Sequence, residues 1–266
     1  MGGCHIVVDM HSHILFGVDD GSKTIEETMQ IVEDALNHGI TDMIATSHAF
    51  SPYYHVTKSE ISEQLQLIRD AAKVNNFPIH FYTGQEVRLH EHINENINNG
   101  TAMTLAESRY LLLELPFYSV PTYTIAMIQS MLADGIIPII AHPERNRAIS
   151  ERPELLERLV RQGAFAQVTA GSLSGYFGKH TQKVALQLIK ANLIHTYGSD
   201  VHGISTRSLL FKEGLDYLEK KRLYDIADIL LENNKRILRD EMFIVLDPET
   251  PIIRRWWKSI GITATS

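Results

Sequence analysis

Short apolar, β-branched stretches alternate with segments of helical period along most of the chain. The stretches that predict strands cover 5–10, 41–46, 79–85, 110–113, 136–141, 165–169 and 193–197. Between the first two, Met29, Val32 and Leu36 share one face of a helix. Thr24-x-x-Glu27 would open it as a capping box and Gly39 would stop it. Thr57-x-x-Glu60 opens a second helix, with Ile61, Leu65, Ile68 and Ala72 at helical spacing. Further helices are predicted near 93–97, 122–133, 153–161 and 181–191, and the chain turns helical and largely polar over 209–239. Strands alternating with helices imply parallel pairing, and right-handed crossovers let such units close on themselves. No linker, repeat or low-complexity tract divides the chain. The pattern predicts one α/β, barrel-like domain over residues 1–266, with a helical C-terminal segment from about 207.

Metal-ligand residue types fall at the ends of these strands. His11 and His13 follow the first and His48 the second; Glu86 ends the third, Glu114 the fourth and His142 the fifth. Asp200 and His202 follow the seventh, and only the sixth, ending at Thr169-Ala170-Gly171, brings no histidine or carboxylate. In a parallel barrel all strand C-termini open onto one face, where active sites are built. Each residue alone has another reading, since polar residues at strand ends often satisfy loop backbone groups. Six strands delivering to one mouth do not reduce to that. Nitrogen and oxygen donors rich in carboxylate suit Mn2+, Fe or Zn2+ better than thiolate-selecting metals. So many donors accommodate two or three ions, with a carboxylate such as Glu86 bridging a pair.

Composition narrows the chemistry by exclusion. Cys4 is the single cysteine, so neither an internal disulfide nor a thiolate cage can form. No arginine-bearing phosphate loop follows it, which excludes a cysteine-nucleophile phosphatase. A net charge of −7 argues against broad nucleic-acid binding, which needs many Lys and Arg contacts. No apolar run is long enough to span a membrane. Neither a secretory signal nor an acylation motif opens the chain, Ile6 standing where the latter wants Ser or Thr. A cytoplasmic, non-membrane-spanning protein is expected. His38, His80, His90, His92, His180 and His195 fall away from strand ends and read as solvated or packed. Phe50, Tyr53 and Tyr54 form either an aromatic wall for a phenolic group or a cover for the rim. Arg254-Arg255-Trp256-Trp257-Lys258 reads either as a docking patch or as a closure for the barrel floor.

Met10-His11-Ser12-His13-Ile14-Leu15, then Val18-Asp19-Asp20-Gly21, resembles the opening of the polymerase and histidinol phosphatase (PHP) superfamily. More narrowly, it is similar to the manganese-dependent bacterial protein-tyrosine phosphatases of capsule and exopolysaccharide loci. Ala45-Thr46-Ser47-His48, Gly84-Gln85-Glu86, Leu112-Leu113-Glu114-Leu115-Pro116, Ala141-His142-Pro143-Glu144-Arg145 and Gly198-Ser199-Asp200-Val201-His202 continue the match, from about residue 8 to the 234–238 region. The resemblance implies a distorted seven-stranded parallel (β/α)7 barrel holding three ions, usually Mn2+. One ion would lie on His11, His13, Glu86 and Asp200, a second on Glu86, Glu114 and His142, and a third on Asp20, His48 and His202. Asp20 enters on the resemblance; its other reading is a loop carboxylate capping the next helix. Ala49 and Phe50 stand where relatives often carry a second histidine or a basic residue, which bears on substrate contacts from that loop.

The implied reaction is hydrolysis of phosphotyrosine on a partner protein, a membrane-associated tyrosine kinase of a polysaccharide-export system. Arg145 and Arg207, just past ligand-bearing strand ends, match arginines that clamp the phosphoryl group, a guanidinium fork fitting two phosphate oxygens. Asp200 or a water of the cluster would supply what little acid a tyrosyl leaving group needs. Two other functions remain: a small-molecule phosphomonoesterase acting on, for example, histidinol phosphate, and a metal-holding adaptor that binds phosphotyrosine without turnover.

Overall fold

The computed structural model describes residues 6–249, so Cys4 and the 254–258 segment lie outside the described residues. Nine strand segments are present among them: β1 (Val8–Ser12), β2 (Asp42–Ala45), β3 (His48–Ala49), β4 (His80–Thr83), β5 (Glu86–Arg88), β6 (Tyr110–Glu114), β7 (Ile137–Ile140), β8 (Phe165–Thr169) and β9 (Thr196–Gly198). Seven strands were expected. The counts differ because the strands predicted at 41–46 and 79–85 run on past breaks at Thr46-Ser47 and Gly84-Gln85, as β3 and β5. Every pairing is parallel, in the orders β1-β2-β4 and β3-β5-β6-β7-β8-β9. The fold is thus α/β, with parallel strands curved into a half-barrel. Beyond the sheets, Ser12 and Val201 form an isolated parallel bridge. The His13 N–H donates to the Val201 carbonyl at 2.9 Å and the Asp200 N–H to that of His11 at 2.8 Å.

Helices cover the outer side. Ile25–Asn37 follows β1, Lys58–Val74 follows β3, and Phe211–Lys220 and Tyr224–Leu238 follow β9. The second of these carries a complete capping box, Thr57 and Glu60 each accepting from the other's backbone. The first carries half of one. Thr24 accepts from the Glu27 N–H, but the Glu27 carboxylate reaches back one residue further, to the Lys23 N–H at 2.7 Å. Gly39 stands just past this helix at φ +79°, a left-handed conformation that glycine adopts without strain.

The strands are buried on both faces, as parallel sheets under helices are. Alternate residues divide between two apolar clusters. Met43, Leu111, Leu113, Ile140 and Val168 pack outward against the helices. Val8, Met10, Ile44, Tyr110, Leu112, Ile139 and Phe165 pack together within the curve of the sheet, with Ile237 and Phe243 joining them. This inner cluster fills the base of the curve and leaves its C-terminal mouth to polar side chains.

Candidate metal centre

The inward alternation carries several side chains to the mouth directly. On β6 the series Tyr110, Leu112 ends at Glu114, and on β8 Phe165 is followed two residues on by Gln167. On β1 the pairing register gains one residue between Asp9 and Ser12. That bulge lets Met10 join the inner cluster while His11 and His13 both reach the mouth, the re-aiming such irregularities perform. His142 and Asp200 break the alternation by left-handed backbone, at φ +33° and +54°. Such conformations are uncommon for residues with a Cβ and gather where surrounding structure imposes them. Gly198 is needed for a close approach: a Cβ there would lie 2.7 Å from His11 Cβ and 3.1 Å from Gln167 Nε2.

Nine of the eleven sequence-predicted site residues fall into three groups whose donor atoms lie within 4.8 Å of one another. They are His11, His13, Glu86 and Asp200; Glu86, Glu114 and His142; and His13, Asp20, His48 and His202. His13 in the third group is an addition to the expected set. The other two residues are the arginines. Arg145 donates through Nη1 to Asp200 Oδ2, which also accepts from Arg207 Nη2 at 2.7 Å, and Arg207 Nη1 donates to Asp20 Oδ2 at 3.3 Å. Arg207 has a left-handed φ of +50°, and the Arg145 guanidinium lies 4.6 Å over the Phe177 ring.

Histidine tautomers follow from neighbours whose chemistry is unambiguous. The Gln167 Nε2–H donates to the Val168 carbonyl at 2.7 Å, which assigns the other end of the amide as oxygen. That Oε1 lies 3.1 Å from His11 Nδ1, so His11 carries its proton there and presents a lone pair at Nε2. His13 Nδ1 faces Asp19 Oδ2 at 3.0 Å and His202 Nδ1 faces the Asp200 carbonyl at 2.9 Å, with the same consequence. The lone pairs then converge on anions. His11 Nε2 is 3.3 Å from His13 Nε2, 3.4 Å from Glu86 Oε2 and 3.3 Å from Asp200 Oδ1. His202 Nε2 and His48 Nε2 are each 3.3 Å from Asp20 Oδ1. Asp20 Oδ1, Asp200 Oδ1, His48 Nδ1 and His202 Nε2 are buried without a hydrogen-bond partner. Lone pairs and carboxylate oxygens aimed at common points repel unless protons or cations lie between them. The donor set therefore fits divalent metal ions.

Charge in the pocket is correspondingly coupled. Burial opposes protonation of His13, yet Asp19 and Glu86 raise it to about 10, so a proton and a metal ion compete for its Nε2 lone pair. Burial and the neighbouring His13 lower His202 to about 4. Burial would raise Asp200, but Arg207, His11 and Arg145 hold it well below the usual carboxylate range. An ionised Asp200 suits a metal ligand. Glu86 is likewise held low, its burial outweighed by His11, His48 and His142.

Two orienting residues were not singled out from the sequence. Asp19 accepts from His13 Nδ1 and from the His48 N–H at 3.1 Å, and its second oxygen accepts from the Gly21 N–H. Gln167, on the strand expected to bring nothing, accepts from both His11 and the His142 N–H, the latter at 3.3 Å. A polar residue two positions past an inward Phe165 was the available signal. Of the six histidines read as bystanders, His195 is buried, its Nδ1 accepting from the Ala166 N–H, while the His80 and His92 side chains are exposed.

Known proteins resemble this chain along most of its length. The CapC protein of Staphylococcus aureus is 35% identical over 251 residues, 94% of this chain and 98% of the relative. The tyrosine-protein phosphatase YwqE of Bacillus subtilis is 35% identical over 249 residues, 94% of this chain and 98% of its own. A solved structure from work on YwqE and the Streptococcus pneumoniae CpsB, described there as metal-dependent tyrosine phosphatases, superposes with a TM-score of 0.89 at 35% identity, covering 91% of this chain and 98% of that one. The capsular polysaccharide synthesis CpsB/CapC model matches residues 7–239, and the chain belongs to that family.

Proposed function

We propose that this chain is a metal-dependent protein-tyrosine phosphatase of capsular polysaccharide synthesis. The observation that carries the reading is the convergence of histidine lone pairs and carboxylate oxygens on common points, several of them buried without a hydrogen-bond partner, in a family whose named relatives are tyrosine phosphatases. His11, His13, Glu86 and Asp200 would hold one ion, Glu86, Glu114 and His142 a second, and Asp20, His48 and His202 a third, with His13 near both the first and the third. Mn2+ is the proposed metal. When bound, such ions supply Lewis-acid charge to a phosphoryl group and make the attacking water more acidic.

The chain's own residues supply orientation. Arg145 and Arg207 donate to the same oxygen of Asp200, which brings the two guanidinium groups together, and their remaining N–H groups would form a forked clamp for phosphoryl oxygens. Gln167 and Asp19 hold the His11 and His13 rings so that Nε2 faces the centre, and no reorganisation is needed at the moment of reaction. Phosphotyrosine leaves as a phenolate with pKa near 10, for which little acid assistance is needed. The fold is read as a distorted seven-stranded barrel, each of β2–β3 and β4–β5 being one interrupted strand and the Ser12–Val201 bridge closing the ring. A single domain is supported by the one family match over residues 7–239. The proposed substrate is a membrane-associated tyrosine kinase, met in the cytoplasm; no helix among the described residues is long and apolar enough to cross a membrane.

The test is turnover of a phosphotyrosine peptide, a phosphoserine peptide and histidinol phosphate by protein of measured metal content, with and without chelator. Chelator-sensitive turnover selective for the phosphotyrosine peptide is expected. Preference for histidinol phosphate would move the activity to small molecules, and binding without turnover would make the protein an adaptor.

A further inference from the structure

A groove of about 470 Å3 opens beside the metal centre, with His48 and Glu114 at its inner end. Its walls are two aromatic loops: Tyr53 and Tyr54 after β3, and Phe117 and Tyr118 after β6. Tyr53 is 88% exposed, Phe117 52% and Tyr118 70%. Large apolar side chains gathered in water on both sides of one groove mark a contact surface more than a stability device. The walls are also preformed. Ser51 Oγ accepts from the Tyr53 and Tyr54 N–H groups, and the Ser51 N–H donates to the Tyr54 carbonyl. On the other side Asn146 donates to the carbonyls of Pro116 and Ser119, and the Arg147 N–H to that of Phe117, which ties this wall to the turn bearing Arg145. Tyr54 lies nearly parallel to the His48 ring, 10° apart with centroids at 6.1 Å.

The volume lies in the range of about 300–1,000 Å3 that takes ligands well beyond one phenol ring. Asp20, His48 and Glu114 belong both to the metal centre and to this groove, so the ester substituent of a phosphoryl group held there would have this groove to extend into. A phenol ring would occupy the inner end, beside Tyr54, and leave the outer aromatics facing water. Resting on the phosphatase reading, we infer that the groove binds the polypeptide around the phosphotyrosine, and that Tyr53 and Phe117 select an apolar residue beside it. Aromatic side chains anchor such contacts because they bury large area while fixing few torsions.

The experiment compares two phosphotyrosine heptapeptides that differ only in flanks of Leu or Gly, using metal-loaded protein. Wild type is expected to favour the Leu-flanked peptide in kcat/KM by about tenfold, the scale of one well-buried anchor. Tyr53→Ala with Phe117→Ala should bring the ratio close to one, Tyr53→Phe should preserve it, and Tyr224→Ala, an exposed aromatic elsewhere, should leave it unmoved. Thermal melting checks that each variant is folded. A wild-type ratio near one, or a double variant that keeps the preference, overturns the groove assignment while the phosphatase reading stands. Wild type that cleaves neither peptide overturns the phosphatase reading itself and this assignment with it.

Discussion

Replacing Gln167 with Met keeps the length of the side chain and removes its amide. In the wild type Oε1 accepts from His11 Nδ1 at 3.1 Å and from the His142 N–H at 3.3 Å, and Nε2 donates to the Val168 carbonyl at 2.7 Å. Gln167 and His11 are both fully buried, so water cannot replace the lost partner. A buried polar group left unpaired costs about 1–3 kcal/mol. His11 can escape that cost by moving its proton to Nε2, but then the lone pair facing the centre is gone. Metal binding must pay to restore it. At about 1.4 kcal/mol per tenfold, the same range predicts affinity weaker by about 5- to 150-fold at the His11 site, consistent with the 10- to 100-fold typical of outer partners to metal-bound histidine.

Gln167→Glu separates orientation from packing. It keeps an acceptor for both N–H groups but turns the donor to Val168 into a buried carboxylate oxygen facing that carbonyl, so it should lose stability yet bind metal far better than Gln167→Met. Competition with a chromogenic chelator reads affinity, and melting in excess chelator reads stability of the metal-free fold. If Gln167→Met melts earlier but binds metal as tightly as wild type, the amide is merely a brace for β8 and the tautomer argument is wrong.

Other outcomes follow from the same geometry. Arg145→Ala and Arg207→Ala should each retain metal while turnover falls by about 10²–10³-fold, with Lys recovering only part; kinetics beside metal analysis check this, and wild-type rates would end the clamp assignment. Chelation should abolish turnover whereas Cys4→Ser should leave it intact, and loss of activity in a metal-replete Cys4→Ser protein would return a thiol mechanism to consideration. His195 is lowered by burial from 6.5 to about 4, so it is neutral when folded and protonates on unfolding below 6.5. Its contribution is full above pH 6.5 and is lost as pH falls toward 4, amounting to about 2 kcal/mol between pH 7 and pH 5. His195→Asn retains an acceptor for the Ala166 N–H and should flatten that part of the profile in urea unfolding, whereas parallel profiles would refute it.

What the sequence made legible is what residue type and strand parity encode. Glu114 could be placed because it continues the inward series from Tyr110 and Leu112. His11, His13, His48, Glu86 and His142 could be grouped because few side chains other than metal ligands recur at successive strand ends. The breaks after Ala45 and Thr83, the bulge in β1 and the left-handed residues at His142, Asp200 and Arg207 were not legible. Each depends on how neighbouring strands close on one another, a long-range constraint that leaves no local pattern.

The adjacent carboxylates Asp19 and Asp20 show where residue type stops being informative. Asp19 is buried and has both oxygens engaged, accepting from His13 Nδ1 and two backbone N–H groups. Asp20 turns the other way, placing Oδ1 between His48 and His202 and offering Oδ2 to Arg207. The two have the same chemistry and sit one residue apart, and only the course of the loop makes one an orienting group and the other a candidate ligand. Gln167 is the converse case: an uncharged side chain, passed over because it cannot hold charge, assigns the His11 lone pair because its other end must donate to Val168. The candidate ligands were therefore legible as types. The residues that aim them were not, because aiming is a property of hydrogen-bond direction, and direction is settled only when the strands are in place.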